Sequence, residues 1–457
     1  GVLCVKIQYT GMDWKKRMTE EVSVYEEAER YINSIPRFTG KNSMEDTVRF
    51  LEHLGSPAQH CRIIHVAGTN GKGSVCAYLC SVFCEAGISA GMFISPHLVS
   101  MRERLVADGV IATEEEFLQA FTAVREKLSA LPSELVQESY HPSFFEFLFF
   151  MAMVFFEKKG VEYVVLETGL GGRLDATNSV QRKDMCVITS IGYDHTEYLG
   201  ETLWEIAGEK AGILRPGVPV VYPAGQKEAA RRIEECAAGV GAETVPLPEH
   251  AIKEIKIQHK TIDFSLHLNY YDYIGFTVSM PAVYQAENAA LAVTALVRLG
   301  DGRITVPVMQ EGIRKTAWEG RMEEILPSVF LDGAHNIDGI RAFLETVRLH
   351  PCKGKRKLLY SVVRDKKYQA VTEAVALSGL FHEIGVVALK DERALPLTIL
   401  EDSYRQYTGF ICRAYDDLDS AFRELVREKD DEDMVYIVGS LYLAGEIKAL
   451  LRRPRHD

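Results

Sequence analysis

The 457-residue chain carries 52 Lys and Arg against 64 Asp and Glu, a formal charge of −12, with 47% hydrophobic and 25% charged residues. That length exceeds one ordinary core and the composition excludes a disordered chain, so two or three packed domains are expected. The acidic balance argues against a nucleic-acid surface, and an anionic ligand would need a local concentration of Lys, Arg and metal.

The first twenty residues show no clear period and read as loosely held; they open on Gly1 rather than Met, and part of them can be an added remnant. Glu21–Tyr31 and Ser43–Leu54 read as charged amphipathic helices, the second with Ser43 as its N-cap. Ile63–Val66 is a short apolar strand. Gly68-Thr69-Asn70-Gly71-Lys72-Gly73-Ser74 follows, and helical spacing resumes at Val75. Glycines let backbone N–H groups close on phosphate oxygens, the helix adds the positive end of its dipole, and Lys72 adds a full charge. Ser74 is the natural hydroxyl for a magnesium ion on those phosphates. The pattern G-x-x-x-x-G-K-[ST] is not met, since Val66 stands at its first glycine and Gly73 follows the lysine. The plainer alternative is a glycine-rich turn; strand, lysine, hydroxyl and helix together favour phosphate. Cys76, Cys80 and Cys84 fall on one face of that helix, read as a small buried face rather than a metal cluster. The nine cysteines, odd in number and without C-x-x-C spacing, suggest no disulfide framework and fit a reducing cytoplasm.

Ser89–Ile94 is a second strand, and Ser95-Pro96-His97-Leu98 opens a polar loop. Thr113 caps a helix beginning with three glutamates. Phe144–Phe156 is the most apolar run, too short to cross a bilayer and carrying Glu146, hence a buried helix; no signal peptide or membrane span is seen. Strands at Tyr163–Leu166, Met185–Ser190 and Val218–Tyr222 alternate with helices such as Thr202–Ile213, the mark of a doubly wound, mostly parallel α/β sheet. Ligands collect at the carboxyl ends of such strands, where Gly68, Ser95, Glu167 and His195 fall. Ile252–Val278 alternates apolar and polar residues as a small antiparallel sheet would, and Gln285–Leu299 is helical. From Glu319 a second, smaller Rossmann-like α/β unit is expected, with strands at Val329–Leu331, Lys357–Val363, Glu383–Leu389 and Met434–Val438. The division is therefore 1–318 and 319–457, with a cleft between.

Four further groups carry chemistry. Glu167-Thr-Gly-Leu-Gly-Gly-Arg173-Leu-Asp175-Ala-Thr177-Asn178 surrounds three glycines with charge, and a strand-end carboxylate beside a phosphate loop suits magnesium. A tight structural turn is the even alternative. Asp194-His195 closes the next strand. Lys210, in Glu209-Lys-Ala-Gly, would ordinarily be a solvated surface residue. Arg321 and Asp332-Gly-Ala-His335-Asn336 open the second unit, and Arg321 suits bidentate phosphate contacts. No nucleophilic triad is seen.

His65–Ser74, Ser95–Leu98, Glu167–Asn178, Thr189–His195, Glu209–Ile213, Gly320–Arg321 and Asp332–Asn336, in that order, resemble the bacterial folylpolyglutamate synthase/dihydrofolate synthase family of the Mur ligase superfamily. The resemblance implies a P-loop ATP-dependent amide ligase adding L-glutamate to folate, and to dihydropteroate, with ATP between the domains. By it, Asn70, Gly71, Lys72, Gly73 and Ser74 take the phosphates, and Asn288, Arg321 and Asp332 complete the nucleotide site. Ser74, Ser95, Glu167 and His195 hold magnesium. Lys210 matches a lysine carried as a carbamate that helps bind a second ion. Lys72, Lys210, His195 and Arg321 are the catalytic set. Phe145 falls where the pterin is contacted, with Arg173, Asp175 and His335 on the substrate side. A cytoplasmic monomer is implied, with no nucleic-acid or membrane partner. Asp365-Lys366-Lys367 departs from the D-K-D of similar proteins. A cell-wall amino-acid ligase and a non-catalytic nucleotide-binding regulator are the rival readings.

Overall fold

The computed structural model of the chain describes residues 23–36, 42–132, 134, 136, 140–268, 271–364, 368–390 and 394–452. The loosely read first twenty residues and the Asp365-Lys366-Lys367 departure lie outside them.

Three sheets organise these residues. The largest has eight strands: β1 (Arg62–Ala67), β2 (Ala90–Phe93), β3 (Leu105–Ala107), β4 (Val110–Ile111), β5 (Tyr163–Glu167), β6 (Met185–Ile188), β7 (Pro219–Pro223) and β8 (Glu243–Leu247). Their spatial order is β4-β3-β2-β5-β1-β6-β7-β8, parallel from β2 to β8 with β3 and β4 antiparallel at one edge. Side chains of β1 alternate between faces, as pleating requires. Ile64 and Val66 enter the core under helices Lys72–Glu85, Tyr284–Leu299 and Val306–Lys315. Ile63 faces the core that includes Phe144–Lys159, and Ala67 the one that includes Leu203–Ala211 and Lys227–Val240. Helices on both faces make this the doubly wound, mostly parallel sheet expected.

A second sheet, antiparallel, joins β9 (Ile252–Ile257), β10 (Ile262–Leu268) and β11 (Tyr271–Val278). The third contains β12 (Glu323–Leu326), β13 (Val329–Leu331), β14 (Arg356–Tyr360), β15 (Glu383–Val387), β16 (Ile411–Tyr415) and β17 (Met434–Val438), in the order β12-β13-β17-β14-β15-β16. Only β12 is antiparallel to its neighbour.

Several limits shift for local reasons. The first helix begins at Val24, not Glu21, because Ser23 and Glu26 close a reciprocal capping box there. The apolar run forms helix Phe144–Lys159, capped by Ser143 and ended by Gly160 at positive φ. Glu146 inside it is satisfied, accepting from Ser143 N at 2.7 Å, Thr47 Oγ1 at 2.9 Å and Asn42 Nδ2 at 2.7 Å. No helix among the described residues is long and apolar enough to cross a membrane. Of the three cysteines on helix Lys72–Glu85, Cys76 and Cys80 are buried and Cys84 is exposed, so the buried face is one turn shorter than expected.

Candidate active site

The glycine-rich loop between β1 and its helix is packed from outside. A Cβ on Gly68 (φ +148°) would stand 1.8 Å from Thr189 Oγ1, and one on Gly71 (φ +90°) 2.2 Å from Asn288 Oδ1. Gly73 lies under Trp318, whose ring a Cβ would meet at 3.0 Å. The loop backbone is also tied to the end of β6. Thr69 N donates to Ser190 O at 2.9 Å, and Thr189 Oγ1 donates to Asn70 O at 2.7 Å. Lys72, the first helical residue, folds back so that Nζ donates to Thr69 O at 3.2 Å.

Two further charges converge here. Lys210 Nζ, buried, donates to Gly68 O at 2.7 Å, and burial with positive Lys72 nearby lowers its pKa to about 7. Glu167 lies beside Val66 in the β1–β5 register and is also buried. Its Oε2 accepts from Ser95 N at 3.0 Å. Burial raises its pKa against the opposing pull of Lys72, that amide, Arg321 and Arg104. Glu167 thus faces cations from both large sheets.

The third sheet supplies the opposite wall. Asp332, at the end of β13, is buried and accepts from Tyr284 OH, from Met322 N at 2.9 Å and from Ala334 N at 2.8 Å; burial raises its pKa too. Arg321 Nη1 donates to Gly320 O at 2.8 Å. Asn336 exchanges two amide hydrogen bonds with Asn70, of 3.1 and 3.0 Å, across 266 residues of chain. It also donates to Asp194 Oδ2 at 3.1 Å. Asp194 Oδ1 lies 3.8 Å from His195 Nε2, and its Oδ2 lies 3.6 Å from His335 Nε2. His335 Nδ1 is held by Gly333 O at 2.8 Å. Asp338 accepts from Tyr193 N at 2.9 Å, a second tie between the sheets.

The remaining expected residues are placed differently. Asp175 is saturated by its own loop, accepting from Gly169 N and Leu170 N at 2.9 Å each and from both N and Oγ1 of Thr177 at 3.1 and 2.5 Å. Arg173 is more than half exposed and pairs with Glu209 at 2.8 Å. Phe145, only partly buried, closes over Gly169, where a Cβ would meet its ring at 2.6 Å. Ser74 is buried, its Oγ accepting from Gln285 Nε2 at 3.1 Å, and Gln285 in turn accepts from Asn288 Nδ2 at 3.2 Å. Gln285, Tyr284, Trp318 and Asp338 were not singled out from sequence, and Asp194 and Asn336 entered only as members of their motifs, without a role of their own. The only sequence signal is the pair Gln285 and Asn288, polar at helical spacing on an alanine-rich helix.

For magnesium, no group of three or more His, Cys, Asp or Glu among the described residues could hold an ion alone. Glu167 with one oxygen unbonded, the hydroxyls of Ser74 and Ser95, and nucleotide phosphate oxygens would form a hard-oxygen set, which magnesium prefers together with retained waters. The donors fit the ion.

Residues 136–296 match the model of the Mur ligase middle domain and 320–441 that of the Mur ligase, glutamate ligase domain. The chain is 32% identical to dihydrofolate synthase/folylpolyglutamate synthase of Bacillus subtilis, over 94% of this chain and all of that one. It belongs to the folylpolyglutamate synthase/dihydrofolate synthase family. Among solved structures, Mycobacterium tuberculosis folylpolyglutamate synthase complexed with ADP superposes with a TM-score of 0.86, at 25% identity, over 94% of this chain and 99% of that one. E. coli FolC in complex with DHPP and ADP gives 0.81, also at 25% identity, over 94% and 98%. The fold expected from the family is the fold observed, and the chain is an ATP-dependent ligase.

Proposed function

We propose that this ligase joins L-glutamate to a reduced folate, and to dihydropteroate, at a site shared by the 68–74 loop and the end of β13. One observation carries the reading: the Asn70–Asn336 amide pair sets the lysine-bearing phosphate loop against the wall that carries Arg321 and Asp332. The chain divides at 318/319, a boundary supported by Trp318 packing on Gly73 and by the two separate family-model matches.

The acceptor's carboxylate oxygen attacks the γ-phosphorus of ATP, the bond to the β-phosphate oxygen breaks, and ADP leaves. The resulting acyl phosphate supplies the leaving group a bare carboxylate lacks. The glutamate amine then attacks the acyl carbon, loses a proton, and inorganic phosphate departs. Lys72 and Arg321 neutralise the phosphoryl oxygens, while Asn288 and Asp332 hold the nucleotide. Ser74, Ser95, Glu167 and His195 would hold magnesium, which when bound would shield phosphate charge. Phe145 and the loop from Gly169 to Asp175 form the acceptor side, with Asp175 shaping the loop through its four hydrogen bonds. Lys210 would be carried as a carbamate and would help to hold a second ion. With its pKa near 7 the residue presents the neutral amine that addition to carbon dioxide needs. Tying the two walls together excludes water from the acyl phosphate.

The test supplies ATP, magnesium and L-glutamate with dihydropteroate or tetrahydrofolate in turn, and weighs the products. A mass increase of one glutamyl residue on both acceptors supports the full reading. An increase on tetrahydrofolate alone reduces it to a polyglutamate synthase. Intact-protein mass spectrometry under carbon dioxide checks Lys210: no mass gain lost in Lys210→Ala would remove the carbamate.

A further inference from the structure

Ser74 sits on the first turn of the phosphate-loop helix, and what decides its usefulness is which way its hydroxyl points. A hydroxyl has one proton to give and two lone pairs. The structure settles one lone pair. Gln285 Nε2 donates to Ser74 Oγ at 3.1 Å, from a helix 211 residues further along the chain.

The orientation of the Gln285 amide is itself fixed. Its Oε1 accepts from Tyr78 OH and from Asn288 Nδ2, each at 3.2 Å, and its Nε2 has the Met280 sulfur at 3.6 Å as second neighbour. Turning the amide over would set an NH₂ against the Asn288 donor and leave an oxygen facing sulfur. Gln285 and Tyr78 are fully buried, and Ser74 and Asn288 nearly so, so no water is at hand to repair a reversed amide.

We propose that Gln285 is a positioning residue that holds Ser74 as an acceptor, leaving its O–H free to donate to nucleotide phosphate and its second lone pair free for the accompanying cation. Asn288 and Tyr78 serve as the lock on Gln285. The neighbouring residue, Tyr284, donates to Asp332 at the end of β13. One helical turn therefore sets a hydroxyl on the phosphate loop and a carboxylate on the opposite wall, so a disturbance of this turn is felt at both. The inference rests on reading Ser74 as a phosphate-loop hydroxyl, and the test separates failure of the two.

The experiment is a double-mutant cycle on the full chain, with ADP affinity measured by calorimetry with and without magnesium, alongside kcat and KM for ATP. Gln285→Met keeps the length of the side chain and removes its hydrogen bonds. It is expected to weaken magnesium-dependent ADP binding about tenfold, the worth of one oriented hydrogen bond, and to raise KM for ATP more than it lowers kcat. Ser74→Ala is expected to do the same, and the double variant to be no weaker than Ser74→Ala alone. Gln285→Glu keeps the shape but draws the Ser74 proton toward itself, so it is expected to be as weak as Gln285→Met. Losses that add in the double variant overturn the proposal, because Gln285 then acts without Ser74. Ser74→Ala weak with Gln285→Met unchanged overturns the proposal alone. Ser74→Ala unchanged overturns the reading of Ser74 and the proposal with it. Should Gln285→Met fail to fold by thermal melting, Tyr78→Phe replaces it in the same cycle, removing one of the two donors that lock the amide without emptying the core, with the same outcomes deciding.

Discussion

Two glycine-rich loops leave adjacent strands of the large sheet, and they are built on opposite principles. The 68–73 loop after β1 takes its shape from outside. Thr189, Asn288 and Trp318 fill the space where side chains would stand, and the end of β6 holds its backbone. The 169–175 loop after β5 takes its shape largely from within, around the four hydrogen bonds accepted by Asp175. A chain of contacts continues inward, since Thr177 gives its proton to Asp175 and so accepts from His65 Nε2 at 2.7 Å. An externally shaped loop distributes its dependence over many neighbours. A self-tied loop depends on one residue and is stiffer for it.

The largest expected effect falls on that one residue. Asp175→Ala strands the part-buried N–H groups of residues 169 and 170 and the buried one of Thr177, and a loss of about 3–5 kcal/mol in urea unfolding is expected. A loss under 1 kcal/mol would show that the loop does not hold itself. The counterpart on the first loop is Gly68→Ala, whose methyl must displace the Thr189 hydroxyl. Here ADP affinity is expected to fall about a hundredfold, near 3 kcal/mol by the usual conversion, with a smaller loss of fold stability. The contrast between these variants, one losing stability and the other nucleotide, is what two different building principles demand.

The anchor of the second loop has a pH signature. Lys183 Nζ is buried and donates to Asn178 Oδ1 at 2.6 Å and Ile213 O at 2.8 Å, and burial lowers its pKa from 10.5 to about 7. Between those values the unfolded chain holds a proton that the folded chain lacks, so stability rises with pH across the window and falls as pH drops back toward 7. Lys183→Met is expected to flatten the slope of unfolding free energy by up to about 1.4 kcal/mol per pH unit between pH 7.5 and 9.5. Lys210 follows the same sign, so a residual slope is expected; an unchanged one would mean that Lys183 is not neutral in the fold. The smallest effect belongs to Arg173. Its pair with Glu209 is largely exposed, and Arg173→Ala is expected to cost under about 0.5 kcal/mol in the same unfolding assay. A larger loss would make the pair part of the loop's frame.

What sequence could show follows the same division. The strand–glycine–lysine–helix pattern is local, and the parallel sheet follows from regular alternation, so the first loop and most central strands were legible. Strands β8 and β16 were not: they are edge strands with exposed, polar stretches and, in β8, a proline, so no apolar run marks them. Nor did sequence single out Gln285, which meets Ser74 from 211 residues away, or Trp318 over Gly73. Contacts at such separation leave no periodic trace. Asp175 was read among glycines as a charge aimed at a ligand, whereas its hydrogen bonds are spent on its own loop; a sequence shows that a carboxylate is present, not which donors have already claimed it.

The most direct test of a nucleotide site shared between two sheets is ADP affinity by titration calorimetry, in the presence of magnesium, for the native chain, Lys72→Ala and Arg321→Ala. A shared site predicts that both variants weaken binding about tenfold or more, although Lys72 follows β1 of the large sheet and Arg321 precedes β12 of the third. Arg321→Ala binding ADP as tightly as the native chain would contradict it and leave the nucleotide to the 68–74 loop alone.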